Sequence, residues 1–413
     1  MTDVLRITPR DVAGDAAAPT HEDRFARFKL IGWWDQARLS RARVLVIGAG
    51  ALGNEIIKNL ALVGVGHLFI ADMDHVENSN LSRSVLYREA DNGTSKAAAA
   101  ARGAKDIYPD IKVQPFHGNV VHDLGLGVFR WADVVIGGLD NREARLSINR
   151  NCWKVNRPWI DGAIETIDGS ARVFVPDGPC YECTMSAQDW KLLQMRRSCN
   201  LLSRPEMETG GKTPTTPTVS SIIAGVQCQE AVKLLHGMPT LAGGAFVFNG
   251  VTADAYVTKF QRKADCYSHD ILDKIVTLDA GVDTITPREL LSRARAMLGP
   301  AAQLELAREV LEKLVCPTCR REEHVFASLG KVAGERAWCP HCANVRREVV
   351  TFHTIRGTEA FLDRALAEIG VPAFDIIVAR GPDSAAAIGF ELAGDAAHVL
   401  GELLSSDEAL ELV

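Results

Sequence analysis

The chain has 413 residues, of which 47% are hydrophobic and 24% charged, with a formal net charge of −6. This length predicts two or three domains, and the composition is that of a globular protein with apolar material for a sizeable core. An acidic balance with no basic block argues against a dedicated nucleic-acid binder, and no apolar run approaches the roughly 20 residues that a membrane-spanning helix needs.

In chain order, residues 1–22 lack the apolar centre of a secretory signal and read as a flexible tail on a cytoplasmic protein. RFARF (24–28) reads as part of an amphipathic helix. RVLVIGAG (43–50) is a short apolar run entering a glycine turn, the pattern of a buried parallel strand. ALGNEIIKNLALVGV follows with apolar residues every three to four positions, then HLFIADMD as a strand. SKAAAAARGAKDIYP predicts a helix stopped by Pro109, KVQPFHGNV a weaker strand and ADVVIGGLD (132–140) a strong one. This alternation predicts an α/β fold with a doubly wound, mostly parallel, Rossmann-like sheet.

Beyond Pro158 come extended segments (GSARVFVP, GAFVFNGV, DAYVTKF) and a helix, SSIIAGVQCQEAVKLLHG, closed by Gly237 and Pro239. Composition shifts near residues 266–275, which places a first domain over 23–270 and a C-terminal α+β domain over 271–413. In the latter, Thr286-Pro287-Arg288-Glu289 has the form of a capping box with proline at the first helical position. REVVTFHTI, AFDIIVAR and AAIGFELAG read as strands, and TEAFLDRALAEIG (358–370) as a helix.

Gly48, Gly50 and Gly53 lie between a strand and a helix, where glycine permits a tight turn and the helix N-terminus favours an anion. Asp72 ends the next strand, where a carboxylate can accept from ribose hydroxyls. A nicotinamide dehydrogenase would show the same pair. The following segment discriminates: Asn80, Arg83 and Lys96 precede Asp140-Asn141 at the end of a later strand. Hydride transfer has no need of this set, whereas nucleotidyl transfer does. Arg83 and Lys96 can neutralise a triphosphate, Asn80 can orient it, and Asp140 can hold Mg²⁺. Taken singly, each is as ordinary as a solvated charge or a turn residue.

Ten cysteines without a secretory signal point to metal or thiol chemistry rather than disulfides. Cys316-x2-Cys319-x19-Cys339-x2-Cys342 is a zinc-ribbon spacing, spanning about residues 314–345. His341 lies inside it as a bystander. Cys180 and Cys183 supply half of a second tetrahedral site. Cys152 lies in INRNCW and Cys228 in an apolar helix, and both read as buried. Cys199 instead follows Arg196-Arg197 in a polar Gly/Pro-rich loop, and neighbouring cations favour a thiolate.

RFAR, RVLVIGAGALG, DMDHVENSNLSR, TSKA, GLDNREARLSINRNC, PWIDGAIETIDGSARVFVPDGPCYEC and PTTPTVSSIIAGVQCQEAVKLL together resemble the ThiF/MoeB and ubiquitin-activating-enzyme superfamily, in the family's order. The resemblance implies that ATP is bound with Asp72 on ribose, Asn80, Arg83 and Lys96 on phosphates, and Asp140 beside Asn141 serving Mg²⁺. It implies that Arg27 reaches the ATP of a partner subunit, hence a homodimer. It implies that Cys266 and His269 complete the zinc site of Cys180 and Cys183, for two Zn²⁺ per chain. Histidine stands there where the family usually has cysteine.

The resemblance also makes about 196–215 a crossover loop over the tail of the partner protein. In some members, such as the single-chain enzymes that activate ubiquitin-fold modifier, a cysteine there takes the acyl group, which here is Cys199; bacterial ubiquitin-like conjugation (Bil-type) operons encode compact activating enzymes of this shape. The expected activity is adenylation of the C-terminal glycine of a ubiquitin-like protein. Transfer to Cys199 as a thioester and hand-over to a conjugating enzyme would follow. The alternative is a sulfur-carrier-protein adenylyltransferase of ThiF/MoeB type, although the C-terminal region shows no rhodanese-like loop. A non-catalytic zinc scaffold would need the nucleotide residues to be relics.

Overall fold

The computed structural model describes residues 23–191, 214–382 and 386–404. The expected tail 1–22, residues 196–213 of the expected crossover loop, and Cys199 itself lie outside the described residues. Among the described residues, no helix is long and apolar enough to cross a membrane.

The first sheet has eight strands: β1 Arg43–Ile47, β2 His67–Asp72, β3 Lys112–His117, β4 Val134–Gly138, β5 Trp159–Glu165, β6 Asp168–Phe174, β7 Gly244–Asn249 and β8 Asp254–Lys259. Their order is β3-β2-β1-β4-β5-β6-β7-β8. Pairing from β3 through β5 is parallel and from β5 through β8 antiparallel. Alternation within the apolar runs explains why they read as continuous. Val44 and Val46 enter one core while Leu45 and Ile47 enter the other, and Leu68/Ile70 and Phe69/Ala71 divide the same way. Pro115 is tolerated in β3 because that strand is an edge.

In chain order the helices are α1 Gln36–Arg41, α2 Ala51–Leu62, α3 Lys96–Ile107, α4 Leu126–Trp131, α5 Arg142–Lys154, α6 Tyr181–Thr184, α7 Pro217–Leu235, α8 Pro287–Leu298 and α9 Ala396–Leu400. Residues of α2, α3 and α7 cover the first face of the sheet. The second face is covered by α4 and α5 together with Phe374, Ile376, Val378 and Leu400 from the C-terminal part of the chain.

That part forms a second sheet from β9 Ile275–Leu278, β10 Gln303–Val315, β11 Glu322–Ser328, β12 Glu348–Ile355, β13 Ile376–Arg380 and β14 Ala387–Leu392. Its order is β11-β10-β13-β14-β9, with β12 also on β10. The pairings are antiparallel except that β9, the first strand, lies parallel to β14, the last. The capping box at Thr286 forms, each partner bonding the other's backbone N–H.

Two expected helices are absent. Residues 358–370 form turns and a short 3₁₀ segment, Ala367–Ile369. The N–H groups of Leu366 and Ala367 go to the carbonyls of Ile285 and Val282, while Leu362 O accepts from Arg288 N. Backbone groups spent on a neighbouring loop cannot make the i→i−4 ladder, and Phe361, Leu362, Leu366 and Ile369 are buried all the same. Residues 24–27 form turns leading into a 3₁₀ segment, Phe28–Leu30. Phe25 there packs edge-on to Tyr108, and its ring fills the space above Gly64.

Candidate nucleotide and zinc sites

The strand order turns about β1, whose neighbours β2 and β4 are reached by connections running in opposite directions. A ligand crevice belongs at the carboxyl ends of strands at such a point. Gly48 has φ +91°, and a Cβ there would lie 2.5 Å from Gly138 O; one on Gly53 would lie 1.8 Å from Gly48 O. Only glycine allows this approach, and it sets the end of β4 directly against the turn. Gly50 caps α2 without a side-chain acceptor, and the space a Cβ would take there is open. The N–H groups of the first turn of α2 therefore lack a side-chain cap and suit an anion.

Asp72 ties this turn down. Its Oδ2 accepts from Ala49 N (2.7 Å) and its Oδ1 from Asp74 N (2.8 Å). Burial holds its pKa above the ordinary carboxylate value, against the opposing pull of Lys96 and the two N–H groups. Lys96, at the N-terminus of α3, donates to Asp74 Oδ2 at 2.7 Å. Arg83 donates to Ser79 O at 2.9 Å. Asn80 is buried, and its Oδ1 accepts from Glu77 N, which leaves the amide to donate. Asp140 is exposed just beyond β4, with Asn141 Nδ2 3.5 Å from its carboxylate. Asn141 Oδ1 caps α5 by accepting from Ala144 N at 2.8 Å. Arg27 is exposed, and its carbonyl accepts from Leu30 N at 3.3 Å.

Sequence reading passed over the residues that brace this site. Buried Asn54 donates to the carbonyls of Ala49 and Gly50 and accepts from Leu86 N. The hydroxyl of buried Tyr87 also donates to Ala49 O. Arg145 donates to Leu139 O, the residue before Asp140, to Gly162 O at 3.0 Å and to the fully buried Asp161 at 2.9 Å. Asp161 is paired on its other side with Arg172, whose guanidinium lies over the Tyr181 ring. A polar residue in the apolar stripe of α2 was the signal for Asn54. Arg145 and Asp161 carry none without their partner.

Two ligand clusters form. Cys180 Sγ lies 3.7 Å from Cys183 Sγ and 3.5 Å from Cys266 Sγ, and Cys183 Sγ lies 3.4 Å from His269 Nε2. Cys319 Sγ lies 3.9 Å from Cys339 Sγ, with Cys316 and Cys342 in the same group. A tetrahedral zinc with Zn–S of about 2.3 Å separates its sulfurs by about 3.8 Å, so both donor sets fit that ion. Lys263 N donates to Cys183 Sγ, and Cys319 N to Cys316 Sγ, as suits thiolates. His341 gives the ribbon only its backbone N–H, toward Cys339 Sγ. Trp153, at the end of α5, packs on the ring of His269 (4.3 Å between centroids), whose Nδ1 is buried without a partner. Burial raises the pKa of Cys152 well above its ordinary value and that of Cys228 to about 12, so neither is a ready nucleophile.

A family model described as the ThiF family matches residues 22–268. The "SAMP-activating enzyme E1" of Haloferax volcanii is 34% identical over 261 residues, covering 60% of this chain and 88% of that protein. The mouse "Adenylyltransferase and sulfurtransferase MOCS3" is 36% identical over 273 residues, covering 63% of this chain but only 56% of its own length. Among solved structures, Escherichia coli MccB with ATP superposes with a TM-score of 0.51 at 20% identity, over 61% of this chain and 75% of that one; this likeness is one of fold.

Proposed function

Because the chain belongs to the ThiF family, we propose that it adenylates the C-terminal carboxylate of a ubiquitin-like or sulfur-carrier protein. The reading rests on one arrangement above all: the glycine turn, Asp72 and the end of β4 converge at the carboxyl edge of the parallel strands. Asp72 accepts from the ribose, and the α2 N-terminus with Asn80, Arg83 and Lys96 receives the phosphates. Lys96 and Arg83 exchange their present partners, Asp74 and Ser79 O, for phosphate oxygens. Asp140 offers carboxylate oxygens to Mg²⁺, a hard cation that neutralises phosphate charge when bound. A carboxylate oxygen of the partner's terminal glycine attacks the α-phosphorus, pyrophosphate leaves, and an acyl-adenylate results. Both zinc ions are structural, and Arg27 completes the site of a second copy in a homodimer.

In the ubiquitin-like reading, the Cys199 thiolate attacks the acyl carbon, AMP departs, and the thioester passes to a conjugating enzyme. The printed name of the mouse relative supports the second reading, in which the adenylate of a sulfur carrier is consumed without a thioester to Cys199. Incubation with ATP, Mg²⁺ and candidate carrier proteins, read on non-reducing gels, separates them. A thiol-sensitive adduct lost in Cys199→Ala supports the first, and adenylate without an adduct the second. ATP–pyrophosphate exchange falls by at least about a hundredfold in Asp140→Ala; unchanged exchange overturns the nucleotide site.

A further inference from the structure

The loop 118–125 follows β3 and borders the nucleotide crevice. Gly118 N donates to Asp72 O at 3.2 Å, and His117, the last residue of β3, is in register with Asp72. Moving outward from the phosphate end, the strands run β1, β2, β3. The loop therefore lies on the far side of Asp72 from the α2 N-terminus, where a base attached to the ribose must extend.

This loop is held by a residue of the second sheet. Arg308 donates through Nε to Val121 O (2.8 Å), through Nη2 to Leu124 O (2.7 Å) and through Nη1 to Asp375 (3.1 Å). Asp375, itself 1% exposed, accepts from Leu126 N at 2.7 Å on its other oxygen. The reach of Arg308 has a local cause. Between Glu305↔Thr354 and Val310↔Phe352 the β10–β12 pairing slips, so residues 306–309 bulge out of the ladder. Such bulges re-aim side chains. Ser328 Oγ adds a contact to His122 Nδ1 at 2.9 Å. The family match ends at residue 268, so none of Arg308, Ser328 or Asp375 belongs to the matched region.

We propose that Arg308 is a positioning residue through which the C-terminal domain shapes the purine-nucleoside side of the ATP site, a role that rests on the nucleotide reading above. Three donors in one planar fork fix two carbonyls of the loop at once, which a lysine cannot do. The phosphate side, built from α2, Arg83 and Lys96, has no contact with Arg308.

Calorimetric titration of the full-length chain with a non-hydrolysable ATP analogue and, separately, with tripolyphosphate, both with Mg²⁺, tests this. Arg308→Lys and Arg308→Met weaken the ATP analogue five- to tenfold and leave tripolyphosphate within twofold. Ser328→Ala gives a smaller loss in the same direction. Equal losses for both probes would mean a general structural role and overturn the proposal, as would unchanged analogue binding in all three variants. Failure of the unaltered chain to bind the ATP analogue would sink the nucleotide site itself, and the proposal with it.

Discussion

His122 stands where the two sheets meet, largely buried against the second of them. It faces Ser328 Oγ at 2.9 Å and Gly330, where a Cβ would lie 2.5 Å from its Nε2. Burial, with the Arg308 guanidinium adding to it and Lys331 acting the same way, holds its pKa below the ordinary 6.5; Glu143 and Asp123 oppose them. For a histidine with a lowered folded value, the unfolded chain binds the extra proton first. Its contribution to stability is complete above pH 6.5 and is lost as pH falls toward the lowered folded value. The melting temperature of the wild type therefore drops more between pH 7.5 and 5.5 than that of His122→Asn, measured by calorimetry; parallel curves would refute this. Burial disfavours the charge of Asp72 as well, holding this carboxyl above its ordinary pKa. Asp72 was legible because spacing from a glycine turn announces it. Tyr87 and Arg145 were not, because their partners, Ala49 and Asp161, lie 38 and 16 residues away.

Elements were legible where local pattern and tertiary demand agree. β1, β2 and β4 are apolar throughout because both faces are covered, and α8 begins where its capping box says. Residues 358–370 carry helical spacing, yet their N–H groups bond to Val282 and Ile285, a demand no local pattern reports. The ribbon is a separate case. Its own core is small, chiefly Leu311, Leu314, Val332 and Ala337, too little to hold its arms together without the cysteine cluster. Cys316→Ser lowers zinc from two ions per chain to one, read by elemental analysis. The ribbon's amides then lose hydrogen-exchange protection, while those of α5, beside the first cluster, keep theirs. Loss of both ions would show that the clusters are not independent.

Across the whole molecule, the second face of the first sheet is shared property. Leu45, Phe69 and Phe129 lie in one core with Phe374, Ile376 and Leu400. Gly125 and Gly127 let the 373–374 backbone come close: a Cβ on Gly125 would sit 2.3 Å from Ala373 O. Arg130 pairs with the buried Glu391 across the same junction. A chain truncated after residue 272 keeps the glycine turn, Asp72, Asp140 and the first cysteine–histidine cluster but strips from this face the cover given by Phe374, Ile376, Val378 and Leu400. It aggregates or binds a hydrophobic dye on size-exclusion analysis, where the intact chain does neither. A monodisperse, cooperatively melting truncation would show the junction to be dispensable.

The parallel pairing of β9 with β14 has a consequence in time. Ile275 and Gly389 are partners, so the second sheet cannot close until β14 has left the ribosome. At about 5–20 residues per second, the interval between the two strands is on the order of ten seconds. Throughout it the nascent first sheet has one finished face and one covered only by α4 and α5, without Phe374, Ile376, Val378 and Leu400. Synthesis of this protein should therefore lean on chaperones that engage ribosome-bound chains, and pausing translation between β9 and β14 should cost more soluble product than pausing before β9.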